Sequence, residues 1–188
     1  MLRGRCGATG SGRTRNALPQ DRTRTMAAAP HDRIIARAAR EAPGPLGVVR
    51  RGRSRLWIDD RGWFATLVEF QPVRGWRGTS LIVAVSLLWS ERAHWTFDLP
   101  LHRAPLVHDE AGVGFAAAVG AMAGQARETV EATRVRLGGP RDVAQISEKA
   151  RADDWKEYHP GIAAALAGRP EEASARLGAI RDPGASIE

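Results

Sequence analysis

The sequence predicts an α+β fold: an antiparallel sheet of four to five strands, packed with one N-terminal helix and three to four C-terminal helices. Three observations predict it. Residues 46–99 alternate apolar and polar side chains and hold five of the six tryptophans: Trp57, Trp63, Trp76, Trp89 and Trp95. That composition suits strands. The run Asp59-Asp60-Arg61-Gly62 interrupts this stretch with turn chemistry. Beyond residue 109 the apolar period lengthens to that of a helix and alanine becomes frequent.

The chain has 188 residues, room for one domain of ordinary size and its tails. The predicted domain spans 30–181, with the sheet at 46–99 and the helical part at 109–181. Residues 182–188 read as a loose tail. A hydrophobic share of 43% suits a globular chain. Of 28 basic residues only Lys149 and Lys156 are lysine, a bias typical of GC-rich coding. One cysteine, Cys6, excludes a disulfide framework or an all-cysteine metal site within one chain. The longest apolar run, Leu81 to Trp89, falls well short of the roughly 20 residues a membrane helix needs. The N-terminus has no apolar segment of the secretory kind. The expectation is a cytoplasmic protein without a membrane partner.

The net charge of +7 is unevenly placed. Residues 1–25 hold six arginines against Asp21, a net of +5, which leaves +2 for the rest. This segment is too poor in apolar residues to offset the entropy of ordering. Three readings stand: a flexible tail, an upstream extension ahead of a start at Met26, or a transit peptide or arginine arm. The charge is therefore weak evidence that the folded domain binds nucleic acid.

In chain order, His31 to Ala42 predicts a short helix. Asp32 suits its N-cap, Ile34, Ile35, Ala38, Ala39 and Ala42 share a face, and Pro43-Gly44-Pro45 stops it. Val48-Val49 opens a short strand, followed by Arg50, Arg51, Arg53 and Arg55. Leu56 to Ile58 is a second strand, turned by Asp59 to Gly62. The return strand, Trp63 to Gln71, puts Phe64, Thr66, Val68 and Phe70 on one face. Pro72 ends it, and the loop 72–78 holds Trp76 between Arg74 and Arg77. Ser80 to Trp89 predicts a central strand, with Leu81, Val83, Val85 and Leu87 on one face. His94 to Leu99 predicts a further strand that Pro100 ends, and 100–108 a crossing loop.

Asp109 and Glu110 suit the start of the longest helix. Its stripe is Phe115, Val119, Met122, Ala126, Thr129, Thr133 and Leu137. Arg127 and Glu131 lie one turn apart on it, and Gly138-Gly139-Pro140 ends it. A further helix is expected from Asp142 to Lys156. Pro160 to Ala167 and Pro170 to Ile180 then form a helical hairpin around Gly168-Arg169. It looks like a single unit of the tetratricopeptide type, one unit being too few for a repeat array.

Arg50-Arg51-Gly52-Arg53, Leu56-Trp57-Ile58, Val68-Glu69-Phe70-Gln71 and Leu81 to Trp89 follow one another as basic lead-in, aromatic strand, Phe-Gln strand end and long apolar strand. Over residues 49–89 this order resembles a bacterial family known as a domain of unknown function. The resemblance implies a small α+β domain and brings no catalytic residues.

No nucleophile elbow, phosphate loop or zinc-protease motif occurs. His102 and His108, with Asp109 and Glu110, lack the tight spacing of metal ligands, so no catalytic residue, metal or cofactor is expected. The GxxxG at Gly120 and Gly124 suggests close helix packing. Glu69 beside Val68 and Phe70 is a candidate acid or base if buried near a histidine. An exposed or arginine-paired Glu69 is the simpler reading. The sharper signal is arginine with tryptophan. Residues 46–104 hold nine arginines and five acids, a net of +4. Trp57, Trp89 and Trp95, with Trp63, read as core, and arginines guard sheet edges. Trp76 fits that reading worst. The candidate binding residues are therefore Arg53, Arg55, Arg74, Trp76 and Arg77. The function this favours is a non-catalytic interaction protein that meets a protein or anionic ligand. The alternatives are a nucleic-acid binder on the same surface, or an enzyme using Glu69 and a histidine.

Overall fold

The computed structural model describes residues 30–73, 77–89, 92–109, 114–143 and 155–180. The fold is α+β: among the described residues, one five-stranded antiparallel sheet has one helix before it and three after. The strands are β1 (Val49–Arg50), β2 (Leu56–Asp60), β3 (Phe64–Pro72), β4 (Gly78–Leu87) and β5 (Leu99–His108), in sequential order across the sheet. The helices are α1 (Pro30–Glu41), α2 (Phe115–Arg136), α3 (Trp155–Leu166) and α4 (Pro170–Gly178). No helix among the described residues is long and apolar enough to cross a membrane.

Register follows the alternation in the sequence. Trp57 pairs with Val68, Val68 with Val83, Phe70 with Leu81 and Phe64 with Leu87. Partners across an antiparallel ladder share a face, so these side chains form one apolar surface. The apolar sides of α1 (Ile35, Ala36, Ala39) and α2 (Phe115, Val119, Met122, Ala126, Val130) cover it. Trp57 is 2% exposed and meets Phe70 edge to face, ring centroids 5.5 Å apart. A second apolar cluster gathers Phe64, Val85, Leu87 and Leu99 with Leu137, Val143 and Ala163 at the far end of the sheet. The opposite face buries Ala65, Leu67 and Ala84 but leaves Leu56, Ile58, Glu69 and Gln71 half-exposed.

The expected turn after β2 forms, one residue pair later than predicted. Asp59 and Asp60 belong to the strand, and the reversal falls at Arg61-Gly62, where Gly62 has φ 85° and Asp60 Oδ1 accepts its N–H at 2.9 Å. Asp59 faces inward and is buried. Arg134 of α2 donates Nε (3.0 Å) and Nη2 (2.7 Å) to its two oxygens, and Nη2 also meets the Leu46 carbonyl at 2.6 Å. Bonding to Asp59 raises the Arg134 guanidinium above its ordinary value.

Four expectations need correction. The last strand is not His94 to Leu99, nor is 100–108 a loop. Residues 99–108 form β5, paired to β4 with Leu99 opposite Val85 and His108 opposite Gly78. Pro100 and Pro105 are tolerated because β5 is an edge strand, and two register shifts in the β4–β5 ladder absorb its extra residues. The long helix begins at Phe115 rather than Asp109, whose N–H instead closes on the Arg77 carbonyl at 2.7 Å. Asp32 sits in the first turn of α1, with its carboxylate turned to Arg55. Pro160 lies inside α3, which runs from Trp155. A 3-10 turn covers Pro140–Asp142, and residues 144–154 of the expected intervening helix lie outside the described residues.

Gly120 and Gly124 are not tight contacts: a Cβ built on either meets nothing within 4 Å. Close approach occurs instead at Gly161, where a Cβ would stand 2.7 Å from Leu177 of α4. The α3–α4 hairpin is also clipped by Arg176, which donates to Glu157 and Glu172 at 3.1 Å each. Trp89 Nε1 donates to Nδ1 of His159 on α3 at 3.2 Å, and His159 is 3% exposed. The Arg127–Glu131 pair forms as expected, at 3.2 Å.

Breaking the Asp59–Arg134 pair from the helix side strands a buried carboxylate. Arg134→Leu is expected to lower unfolding stability in urea by about 3 kcal/mol. The double variant Asp59→Leu/Arg134→Leu is expected to lose clearly less than Asp59→Leu and Arg134→Leu summed, because it leaves no unpaired charge.

Candidate functional site

Of the candidate residues, Arg53, Arg55 and Arg77 belong to one end of the sheet. The turn 51–55 between β1 and β2 is built by its own backbone. Arg51 N–H donates to Leu56 O at 2.9 Å and Ser54 N–H to Arg51 O at 3.1 Å, with Gly52 at φ 54°. Arg50 staples the turn from outside: Nε donates to Ser54 O at 2.7 Å and Nη2 to Arg53 O at 3.1 Å. Its guanidinium lies 5.3 Å from the Trp57 ring centre.

Arg55 is a tie between elements. Its Nη2 and Nε meet Asp32 Oδ1 of α1 at 2.6 and 2.8 Å, and its Nη1 meets the Gly78 carbonyl at 3.3 Å. The second contact brings the 51–55 turn beside the β3–β4 loop, so two basic stretches separated in sequence adjoin in space. Gly78 stands where only glycine fits, since a Cβ would lie 2.6 Å from the Val107 carbonyl. Its neighbour Arg77 is exposed, as is Arg53. Arg53 and Arg77 have no ion pair among the described residues, and only their backbone oxygens are engaged. The structure therefore brings Arg53, Arg55 and Arg77 together and divides them: Arg55 is neutralised by Asp32, the other two present free guanidinium groups. Arg74 and Trp76 lie outside the described residues.

Arg51 of the basic lead-in also meets Trp95 of the β4–β5 connection. Arg51 is exposed, and its guanidinium lies 5.5 Å from the ring centre of Trp95. β4 leaves the sheet at Leu87, whereas Arg51 adjoins Leu56, whose row across the sheet contains Ile82. The interval Ile82 to Leu87 is about 17 Å at the rise of a strand. The reach of the Arg51 side chain closes part of this interval, while Asp98, three residues after Trp95, stays at Leu87 and accepts its N–H at 2.8 Å. Strand alternation beyond Arg50, which pairs with Trp57, puts Arg51 on the face away from α1 and α2. Phe97, two residues beyond Trp95, is 40% exposed. Trp95 is thus half-buried under an arginine, not a core strand residue, and its Nε1 is buried with no acceptor among the described residues. Trp63 and Trp89 are likewise half-buried, stacked on each other at 5.8 Å.

Glu69 does not meet a histidine. It is half-buried, accepts a bond from Gln71 Nε2 at 3.1 Å, and has Leu56 and Ile82 as cross-strand neighbours. His102 sits on β5 opposite Val83, on the helix-covered face, and reaches Gln125 of α2 at 3.2 Å. Among the described residues no group of three or more histidine, cysteine or acidic side chains could hold a metal ion.

No protein-family model, curated protein or solved structure matches this chain. The site's chemistry therefore has to be argued from its own geometry.

Because Arg55 is tied and Arg53 and Arg77 are free, alanine at these positions should separate cleanly. Arg55→Ala is expected to cost about 1–2 kcal/mol of unfolding stability through loss of the charged bonds to Asp32. Arg53→Ala and Arg77→Ala are each expected to stay within about 0.5 kcal/mol of the parent. Chemical denaturation of the three variants measures both.

Proposed function

We propose that the chain is a small non-catalytic binding protein whose contact surface is the arginine-bearing end of the sheet, engaging an anionic partner. One observation carries this reading: the Arg55–Gly78 contact joins the 51–55 turn, with its exposed Arg51 and Arg53, to the start of β4, next to exposed Arg77. Arginine suits this task because its planar fork pairs with carboxylate and phosphate groups and stays charged. Of the acids near this end, Asp32 is paired with Arg55 and Glu69 is bonded to Gln71, while Asp109 meets Arg77 through its backbone N–H. The supports of the surface are rigid, since Arg50 staples the turn and the ladder to β2 and β3 holds its base.

Heparin is a suitable polyanion probe for the full chain. Arg53→Ala/Arg77→Ala is expected to elute from a heparin column at clearly lower salt than the parent. A charge-matched control, Arg40→Ala/Arg136→Ala, removes two exposed arginines from α1 and α2 and is expected to shift elution much less. Equal shifts in the two variants would mean that retention follows net charge alone, and would overturn the reading.

A further inference from the structure

We propose that His159 is a pH-sensitive latch, holding the α3–α4 hairpin on the end of the sheet while its ring is neutral and releasing it when the ring takes a proton from solvent. The latch joins three stretches distant in sequence. Trp89 follows β4, Asp98 precedes β5, and His159 stands on α3, 3% exposed. The Trp89 indole donates its N–H to His159 Nδ1 at 3.2 Å. Indole is a donor only, so Nδ1 must offer its lone pair and the ring proton must lie on Nε2. An imidazolium carries an N–H on both nitrogens and would set two donors against each other across that contact. The surrounding charges do not reverse this preference. Asp98 Oδ1 lies 3.9 Å from Nε2, too far for a hydrogen bond, and Arg92 Nη1 stands 3.8 Å from the same oxygen. The other Asp98 oxygen already accepts the Leu87 N–H at 2.8 Å and the Thr96 hydroxyl at 3.1 Å. Tyr158 meets the His159 ring edge to face at 5.2 Å. Acids on the neighbouring elements are engaged elsewhere: Glu157 with Arg176 of α4, Asp142 with the Gly139 N–H, and Asp59 with Arg134 of α2. Arg136 and Arg141 are exposed. The hairpin is built to move as one piece, since Gly161 lies under Leu177 and Arg176 clips α4 to α3. In the second apolar cluster α3 is represented by Ala163, a small side chain. The Trp89–His159 bond therefore carries much of its attachment.

The test is hydrogen exchange of the full chain at about pH 7.5 and about pH 5.5, one unit either side of the ordinary histidine value of about 6.5. It is read by mass spectrometry as protection factors, which divide out the intrinsic pH dependence of exchange. Where only the neutral ring docks, opening is favoured about tenfold at the lower pH. Protection over α3 is therefore expected to fall about tenfold between the two conditions while α2 holds its protection. His159→Gln keeps an acceptor for the Trp89 N–H and carries no titrating group, so its α3 protection is expected to stay flat. Trp89→Phe keeps a ring against Trp63 but removes the opposing donor, and is expected to show a clearly smaller fall. His31, His94, His102 and His108 remain in both variants, so a fall due to any of them would persist. Protection over α3 that stays unchanged in the parent, that falls equally in His159→Gln or in Trp89→Phe, or that falls in step with α2, overturns the latch.

Discussion

Arg134 reaches from the last turns of α2 to both oxygens of Asp59 on β2, and shares one nitrogen with the Leu46 carbonyl. A single guanidinium thereby fixes a long helix, a strand and the 3-10 turn Gly44–Leu46 before β1. Ion pairs of this kind contribute little net stability against an apolar replacement, but they tolerate almost no displacement. The apolar contacts between α2 and the sheet, through Phe115, Val119, Met122, Ala126 and Val130, are non-directional. The buried carboxylate adds a fixed direction. A similar arrangement recurs at the start of α1, where Arg55 takes Asp32 and the Gly78 carbonyl. Each of these arginines joins one acid and one backbone oxygen, and between them they hold both helices on β2.

This explains how an arginine-rich chain can keep part of its charge for the surface. The arginines near the sheet fall into two groups by what surrounds them. Arg50, Arg55 and Arg134 have backbone oxygens or carboxylates in reach from neighbouring elements. Arg53 and Arg77 are engaged only at their carbonyl oxygens, by Arg50 Nη2 and the Asp109 N–H, leaving their side chains to solvent. Charge in the first group is local structure. Charge in the second is available to a partner.

Much of the architecture was legible because it depends on short-range pattern. The faces of β2, β3 and β4 follow from alternation, the stripe on α2 from its period, and the hairpin from Gly62. Phe64, Val68 and Phe70 share a face because parity alone dictates it. What escaped the sequence depends on neighbours distant in the chain. Asp59-Asp60-Arg61-Gly62 has the composition of a turn, and only Arg134, 75 residues away, makes Asp59 a strand residue with a partner. Pro100 and Pro105 read as stops because proline cannot donate to a ladder, and whether a strand is an edge is a property of the whole sheet. Within the candidate site, Arg53 and Arg77 could be proposed from composition. Arg55 could not be set apart from them, since its partner Asp32 lies 23 residues earlier. The contact of Arg51 with Trp95 depended on the path of the β4–β5 connection, for which no local signal exists.

The proline-bearing strand has a consequence for how the molecule meets its neighbours in solution. A sheet edge is a template on which another chain can polymerise. β5 blocks such growth with two residues that lack an N–H and with two breaks in register. At the other margin β1 offers only Val49 and Arg50, too short a rail to guide a strand, and it carries a cation. Neither side can propagate into a fibril or a continuous inter-subunit sheet. Recognition by backbone pairing is thus closed off along both margins, and encounters are left to the side chains at the ends of the strands.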